Sequence, residues 1–304
     1  MILRNEKMSV LLHPDTKIPR GRQLQSRLLQ EDYMRQSPRP IALEIENVKS
    51  VLLLAPHQDD EVIGAGGLLC QLRDKGCQIS IAYLTDGVMT DENSSFVDSF
   101  WVEERSKESI IACEKLSADR YELGISNRSC EVSLSKLNEI GELVTSVGPD
   151  IVLLPWFLDA PAKHRFANHL LYLADCLNSL PQFTVLAYQV RGHIFSNAFA
   201  DITNQLGEKL NLVRVYDSQV SNFHRYDHQS AGISAWNSRF LPPGYKKSEE
   251  QYLELFLCAA KQQYLNVVAT IYPPDLGHVY SHHEEVTKAA REIQEAVLGT
   301  AAGS

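Results

Sequence analysis

The segment His57, Gln58, Asp59, Asp60, Glu61 sets an imidazole beside three acids directly after the apolar run Val51 to Ala55. Acids at the start of a helix have an ordinary use, because a carboxylate there stabilises the helix by ~0.3 to 1 kcal/mol. That use needs one acid and explains neither the histidine nor the adjacent pair. Two histidines and one carboxylate form a ligand set for zinc that leaves a coordination position for water, and the metal lowers the pKa of such a water to about 7. Asp59, next to the ligating acid, is then placed to take the water's proton.

The second histidine must come from elsewhere, and His164 and His169 are the candidates. On a helix the interval between them turns about 500°, leaving them roughly 140° apart, so one ion does not readily use both. Two other groups of residues invite a chemical reading. Gly64, Ala65, Gly66 and Gly67 after a strand hint at a nucleotide-binding turn, although the spacing lacks the full G-x-G-x-x-G form and the acids at 59 to 61 repel a pyrophosphate. Trp236 and Arg239, with Tyr226 and Asp227 ahead of them, suit a sugar platform or an aromatic packed on a loop.

The elements that must carry these groups are legible as alternating β-branched runs and helix-period stretches, the mark of repeated βαβ units. Strands are expected at Val51 to Ala55, Ile79 to Leu84, Tyr121 to Leu123, Ile151 to Pro155 and Thr184 to Val190. Helices are expected around Leu68 to Lys75, Val102 to Leu116, Leu134 to Val147 and from Phe166 to Leu177. A late helix is expected from Glu249 to about Ala269. The fold class is α/β, a Rossmann-like three-layer sandwich with a mostly parallel sheet. Residues 1–45 read as an N-terminal arm and 46–295 as one catalytic domain. In such sheets ligands sit beyond the carboxyl ends of the strands, so the loops opening at Pro56, Thr85 and Trp156 face one site.

Composition narrows the partners. A formal charge of -9 speaks against nucleic acid, whose phosphates call for clustered Lys and Arg. The longest apolar stretches fall short of a membrane span, so no integral membrane segment is expected. Six cysteines without a C-x-x-C pair, and an N-terminus without a secretion signal, fit reduced thiols and a cytoplasmic location.

His57-Gln58-Asp59-Asp60-Glu61 with Gly64 to Gly67 resembles the first motif of the PIG-L/LmbE family of zinc-dependent N-deacetylases, with Gln58 where proline is commoner. Thr85-Asp86-Gly87 resembles that family's turn after the second strand, and Arg105 with Glu108 its Arg-x-x-Glu. Pro155-Trp156-Phe157-Leu158-Asp159 followed by His164, Arg165 and Asn168 resembles its second motif, a register that selects His164; the other register ends on His169 and abandons Asp159. Tyr188-Gln189, Asp201-Ile202-Thr203 and Tyr216-Asp217-Ser218-Gln219 resemble weaker landmarks. The resemblance implies Zn2+ held by His57, Asp60 and His164, Asp59 as general base, Arg105 in substrate binding, and as substrate an N-acetylated amino sugar or glycoconjugate. It also exposes a departure. The family's histidine acid is replaced by Pro161 and the acid beside the ligand by Lys163, so the proton comes from Lys163, His193, His224 or His228, or returns from Asp59 itself, or the protein is a sugar-binding member that has lost catalysis.

Overall fold

The computed structural model describes residues 40–88, 98–127, 132–159, 161–220, 225–241, 245 and 250–272. Most of the expected arm lies outside them. The compact unit starts at Pro40, and strand β1 (Ile41–Ala42), inside the stretch read as an arm, is paired into the sheet.

The core begins with β2 (Ser50–Ala55), which alternates side chains between two faces. Val51, Leu53 and Ala55 enter one apolar cluster and Leu52 and Leu54 the other. Because both faces are covered, the strand is apolar without interruption. β3 (Gln78–Thr85) and β5 (Ile151–Pro155) flank it in parallel, with Val51 opposite both Ile79 and Ile151. β4 (Ala118–Ile125) and β6 (Thr184–Tyr188) extend the parallel set outward. The whole sheet runs β1-β7-β8-β6-β5-β2-β3-β4, where β7 is Ala198–Asp201 and β8 is Leu253–Ala260.

Helices α1 (Asp60–Asp74), α2 (Asp98–Leu116), α5 (Leu206–Val213), α6 (Asp217–Val220) and α7 (Tyr226–Asn237) supply side chains to, or border, the first cluster. Helices α3 (Leu134–Val147), α4 (Ala162–Asn178) and α8 (Lys261–Ile271) cover the other face. α3 shows how locally these limits are set: the Ser133 side chain accepts from the Lys136 amide at its start, and Gly148 ends it with φ 55°. Chain order reverses between β2 and β5, since β3 and β4 lie to one side of β2 and β5 and β6 to the other. A crevice at the carboxyl ends is therefore fixed there, between the loop after β2 and the loop after β5. Among the described residues no helix is long and apolar enough to cross a membrane.

Two helix boundaries are corrected. The late helix read from Glu249 is in fact strand β8 up to Ala260, and only Lys261 onward is helical. β8 lies antiparallel between β6 and β7, so Leu253, Glu254, Leu255 and Phe256 are all buried and show no alternation for a sequence reading to find. The glycines at 64, 66 and 67 form no nucleotide-binding turn. They lie inside α1, which starts earlier than expected, at Asp60, and a Cβ on Gly64 would collide with the Tyr188 ring. Gly64 lets α1 approach β6, while Gly66 and Gly67 let it approach Lys209 of α5 and Ile202.

One buried carboxylate ties the late strand to α1 by hydrogen bonds and to α5 by an ion pair. Glu254 accepts from the Gly67 and Leu68 amides, each at 2.8 Å, and from Lys209 Nζ at 2.7 Å, with both side chains almost inaccessible. Removing one member of a buried pair leaves the other charge uncompensated. Glu254→Ala is therefore expected to lower stability by about 3–5 kcal/mol, read as a fall in the midpoint of denaturant unfolding without a change in slope.

Candidate active site

The loop after β2 is a tight turn. The His57 amide donates to Asp60 Oδ2 at 3.0 Å, and His57 Nδ1 lies 3.1 Å from the same oxygen. The other oxygen, Asp60 Oδ1, is 3.1 Å from His164 Nε2 on α4, which joins the two loops across the switch point. One donor atom from each of His57, Asp60 and His164 falls within 4.8 Å of the other two. Ligands on opposite corners of a zinc tetrahedron sit roughly 3.3 Å apart when each is about 2.0–2.1 Å from the ion. The three residues therefore fit a metal by donor type and by closeness.

Partners outside the trio hold the imidazoles in place. His164 Nδ1 lies 2.6 Å from Asp159 Oδ2, which directs Nε2 toward Asp60. His57 Nε2 lies 3.2 Å from Asn127 Oδ1, at the end of β4. Asn127 is fixed in turn by Asp86, which accepts its amide at 3.0 Å, and by Val88 O, which accepts from its side chain at 2.7 Å. Such outer partners set ring orientation and ligand basicity. His169 points elsewhere, buried on the far side of α4 with its ring stacked 5.4 Å from that of Tyr272.

Asp59 does not cap the helix with its side chain. It is the N-cap residue, with φ 138° and ψ -27°, and its carboxylate makes no capping hydrogen bond. Such a backbone costs about 1–3 kcal/mol and persists only where neighbours impose it. Glu61 is the neighbour that does so. Its Oε2 accepts the Asp59 amide at 3.1 Å, while Oε1 accepts from Tyr83 Oη at 3.1 Å and from Tyr216 Oη.

The electrostatics follow from burying Asp59, Asp60, Glu61 and Asp159 together. Burial raises the Asp59 carboxyl, the Asp60 charge adds to this, and Arg105 pulls the other way. Burial also opposes ionisation of Asp60, yet the charge and hydrogen bond of His164, with the hydrogen bond of His57, hold it well below the carboxylate range. Burial pushes Glu61 up to about 7 against the hydrogen bond from Tyr216. His57 is lowered by burial, toward the neutral form a metal ligand needs. Burial works against a charge on His164 too, but Asp60 and Asp159 outweigh it and hold the imidazole up at about 9. A place where carboxylates draw positive charge this strongly suits a divalent cation.

Arg105 is not the surface ion pair a helical arginine usually makes. It is 6% exposed; Nη2 donates to Gln219 Oε1 at 2.6 Å and Nη1 to Gln58 O at 3.4 Å. One turn on, Glu108 accepts from the Ser218 amide and hydroxyl, each at 2.7 Å. Thus Tyr216, Ser218 and Gln219 dock on the first motif and on the Arg-x-x-Glu pair. Gly87, with φ 70°, lies so close to Gln58 and Arg105 that a side chain there would meet both.

These groups open on a cleft of about 340 Å³, whose lining includes His57, Asp59, Asp60, Arg105, Pro161 and His164. Trp236 and Arg239, expected to form a sugar platform, are not in its wall. Trp236 is 62% exposed with the Arg239 guanidinium 4.3 Å over its ring, and α7 turns Tyr226, Gln229, Ser230 and Ile233 toward the cleft instead. Lys163, His193 and His228 do not line it either, and His224 lies outside the described residues. Sequence reading missed Asn127 and Arg191, although both follow strands at their carboxyl ends, the position that could have marked them.

Residues 52–174 match the PIG-L family model, described as GlcNAc-PI de-N-acetylase. This chain carries a PIG-L domain. It is homologous to diacetylchitobiose deacetylase of Thermococcus kodakarensis, 29% identical over 189 residues, which covers 57% of this chain and 71% of that protein. Among solved structures, N,N'-diacetylchitobiose deacetylase from Pyrococcus horikoshii shares the fold with a TM-score of 0.58 at 21% identity, over 80% of this chain and 94% of the other. The 4-carboxy-2-hydroxymuconate hydratase of Pseudomonas putida does so with a TM-score of 0.60 at 18% identity, over 69% of this chain and 96% of the other. The fold of the PIG-L domain is therefore shared by enzymes of different reaction class.

The geometry separates the two histidines experimentally. His164→Ala should abolish tight zinc binding, measured by competition with a chromogenic chelator, whereas His169→Phe should keep it. Asp159→Asn, which weakens the hold on His164, should reduce zinc affinity by about 10–100-fold in the same assay.

Proposed function

We propose that this protein hydrolyses the N-acetyl group of an N-acetylated amino sugar or glycoconjugate, using a divalent metal, zinc, held by His57, Asp60 and His164. The observation that carries the reading is the convergence of those three donor groups with Asp59 on one cleft. Homology to a diacetylchitobiose deacetylase supports the acetylated sugar as substrate class. The cleft is of a size usual for small-molecule sites, about 300–1,000 Å³.

The ion would supply Lewis acidity, easing ionisation of a water near neutral pH and drawing electron density from the amide carbonyl. Asp59 takes a proton from the attacking water as its oxygen forms a bond to the acetyl carbon. The C–N bond then breaks, its electron pair passing to nitrogen, which must gain a proton to leave as a free amine. Pro161, in the cleft wall, has no proton to give. Asp59 holds the one just taken and, lining the same cleft, can return it to nitrogen. Acetate and amine leave with the protons balanced and no histidine acid required. Glu61 serves by holding the Asp59 peptide, and Arg105 binds the sugar, a role that its position in the cleft lining supports.

Acetate release from a panel of N-acetylated sugars should stop on chelation and return with zinc. Asp59→Asn should lower turnover by about 10²–10⁴-fold while leaving bound zinc unchanged. No acetate from any sugar by zinc-loaded protein would instead favour a binding protein that has lost catalysis.

A further inference from the structure

The reaction groups occupy only part of the cleft. Its remaining wall includes Arg191, in the loop after β6, and Tyr226, Gln229 and Ser230 on α7. The Arg191 guanidinium lies 5.0 Å over the Tyr226 ring and donates from Nη2 to Tyr226 Oη. Its backbone is pinned as well: the Arg191 amide donates to Asp159 at 3.3 Å, and the Gly192 amide also donates to Asp159, the carboxylate that orients His164. Arg191 is thus held in fixed register with the candidate metal centre.

Three facts concern what this wall receives. No carboxylate among the described residues pairs with Arg191 or with Arg105, the second arginine of the cleft. The acids in the lining are Asp59 and Asp60, both committed to the candidate metal centre. Ser230, one helical turn from Tyr226, is 2% exposed with a hydroxyl that has no hydrogen-bond partner. A buried hydroxyl without a partner carries a cost that a bound acceptor would remove. The Arg191 guanidinium, with no carboxylate partner among the described residues of a chain of net charge -9, calls for a negative group with several acceptors.

We propose that Arg191 and Ser230 form an oxyanion subsite, and that the amino sugar taken by this cleft carries a phosphate, as a monoester or within a diester. The proposal rests on the deacetylase reading for the sugar, while the subsite itself is tested by binding alone. Calorimetry on the zinc-restored full chain carrying Asp59→Asn would compare N-acetylglucosamine with its 6-phosphate, its 1-phosphate and UDP-N-acetylglucosamine. At least one phosphorylated sugar should bind about tenfold or more tightly than the neutral one, and added salt should narrow the gap. Arg191→Gln should reduce the preference to about threefold or less, and Ser230→Ala should reduce it in part. A tighter monoester or a tighter diester identifies which form the subsite accepts, and either supports it. Equal binding of neutral and phosphorylated sugars, or full preference in Arg191→Gln, overturns it. Acetate release by the parent chain is the separate readout: turnover without phosphate preference defeats the subsite and spares the deacetylase, and preference without turnover does the reverse.

Discussion

Everything at the head of the cleft depends on one carboxylate serving two imidazoles. Asp60 directs one oxygen to His57 and the other to His164, and in doing so joins loops that leave adjacent strands on either side of the chain reversal. Four acids withdrawn from water cannot all keep their charge unless positive groups answer them. His164 and Arg105 answer in part, and a divalent ion is the counter-charge that the donor geometry suits.

Around that point the motifs brace one another. Glu61 holds the strained peptide of Asp59 and is itself held by Tyr83 from β3 and Tyr216 from the turn before α6. Arg105 and Glu108 on α2 grip Gln219 and Ser218. A hydratase and a deacetylase share this fold, so the sheet does not choose the reaction. The choice lies in these loops and in what lines the cleft beside them.

Much of this was readable in the residues themselves. The βαβ alternation, the parallel strands and the crowding of His57, Asp59 and Asp60 at a strand end all follow from local patterns. The choice between His164 and His169 was harder, because helical geometry separates the pair without saying which faces the loop after β2. The resemblance to the second motif selects His164, and in the structure His164 Nε2 lies 3.1 Å from Asp60 while His169 stacks on Tyr272. β8 was hidden because burial on both faces removes alternation, and its apolar run merges with the helix that follows. Trp236 and Arg239 look like a sugar platform in sequence, yet they pair with each other at the exposed end of α7. Asn127 and Arg191 gave no signal beyond position, since a lone Asn or Arg in a loop is ordinary until the fold brings it to a cleft.

The strand that escaped the sequence reading has a consequence for how the chain matures. Glu254 supplies the acceptors for two α1 amides and the counter-charge for Lys209, almost two hundred residues after the helix it completes. As the chain leaves the ribosome, the first motif and its helix emerge long before that partner, and β7 has no place in the sheet until β8 arrives between it and β6. Contacts of such sequence separation form late and slowly. The anchoring of the helix that begins at Asp60 therefore depends on a strand made almost two hundred residues later.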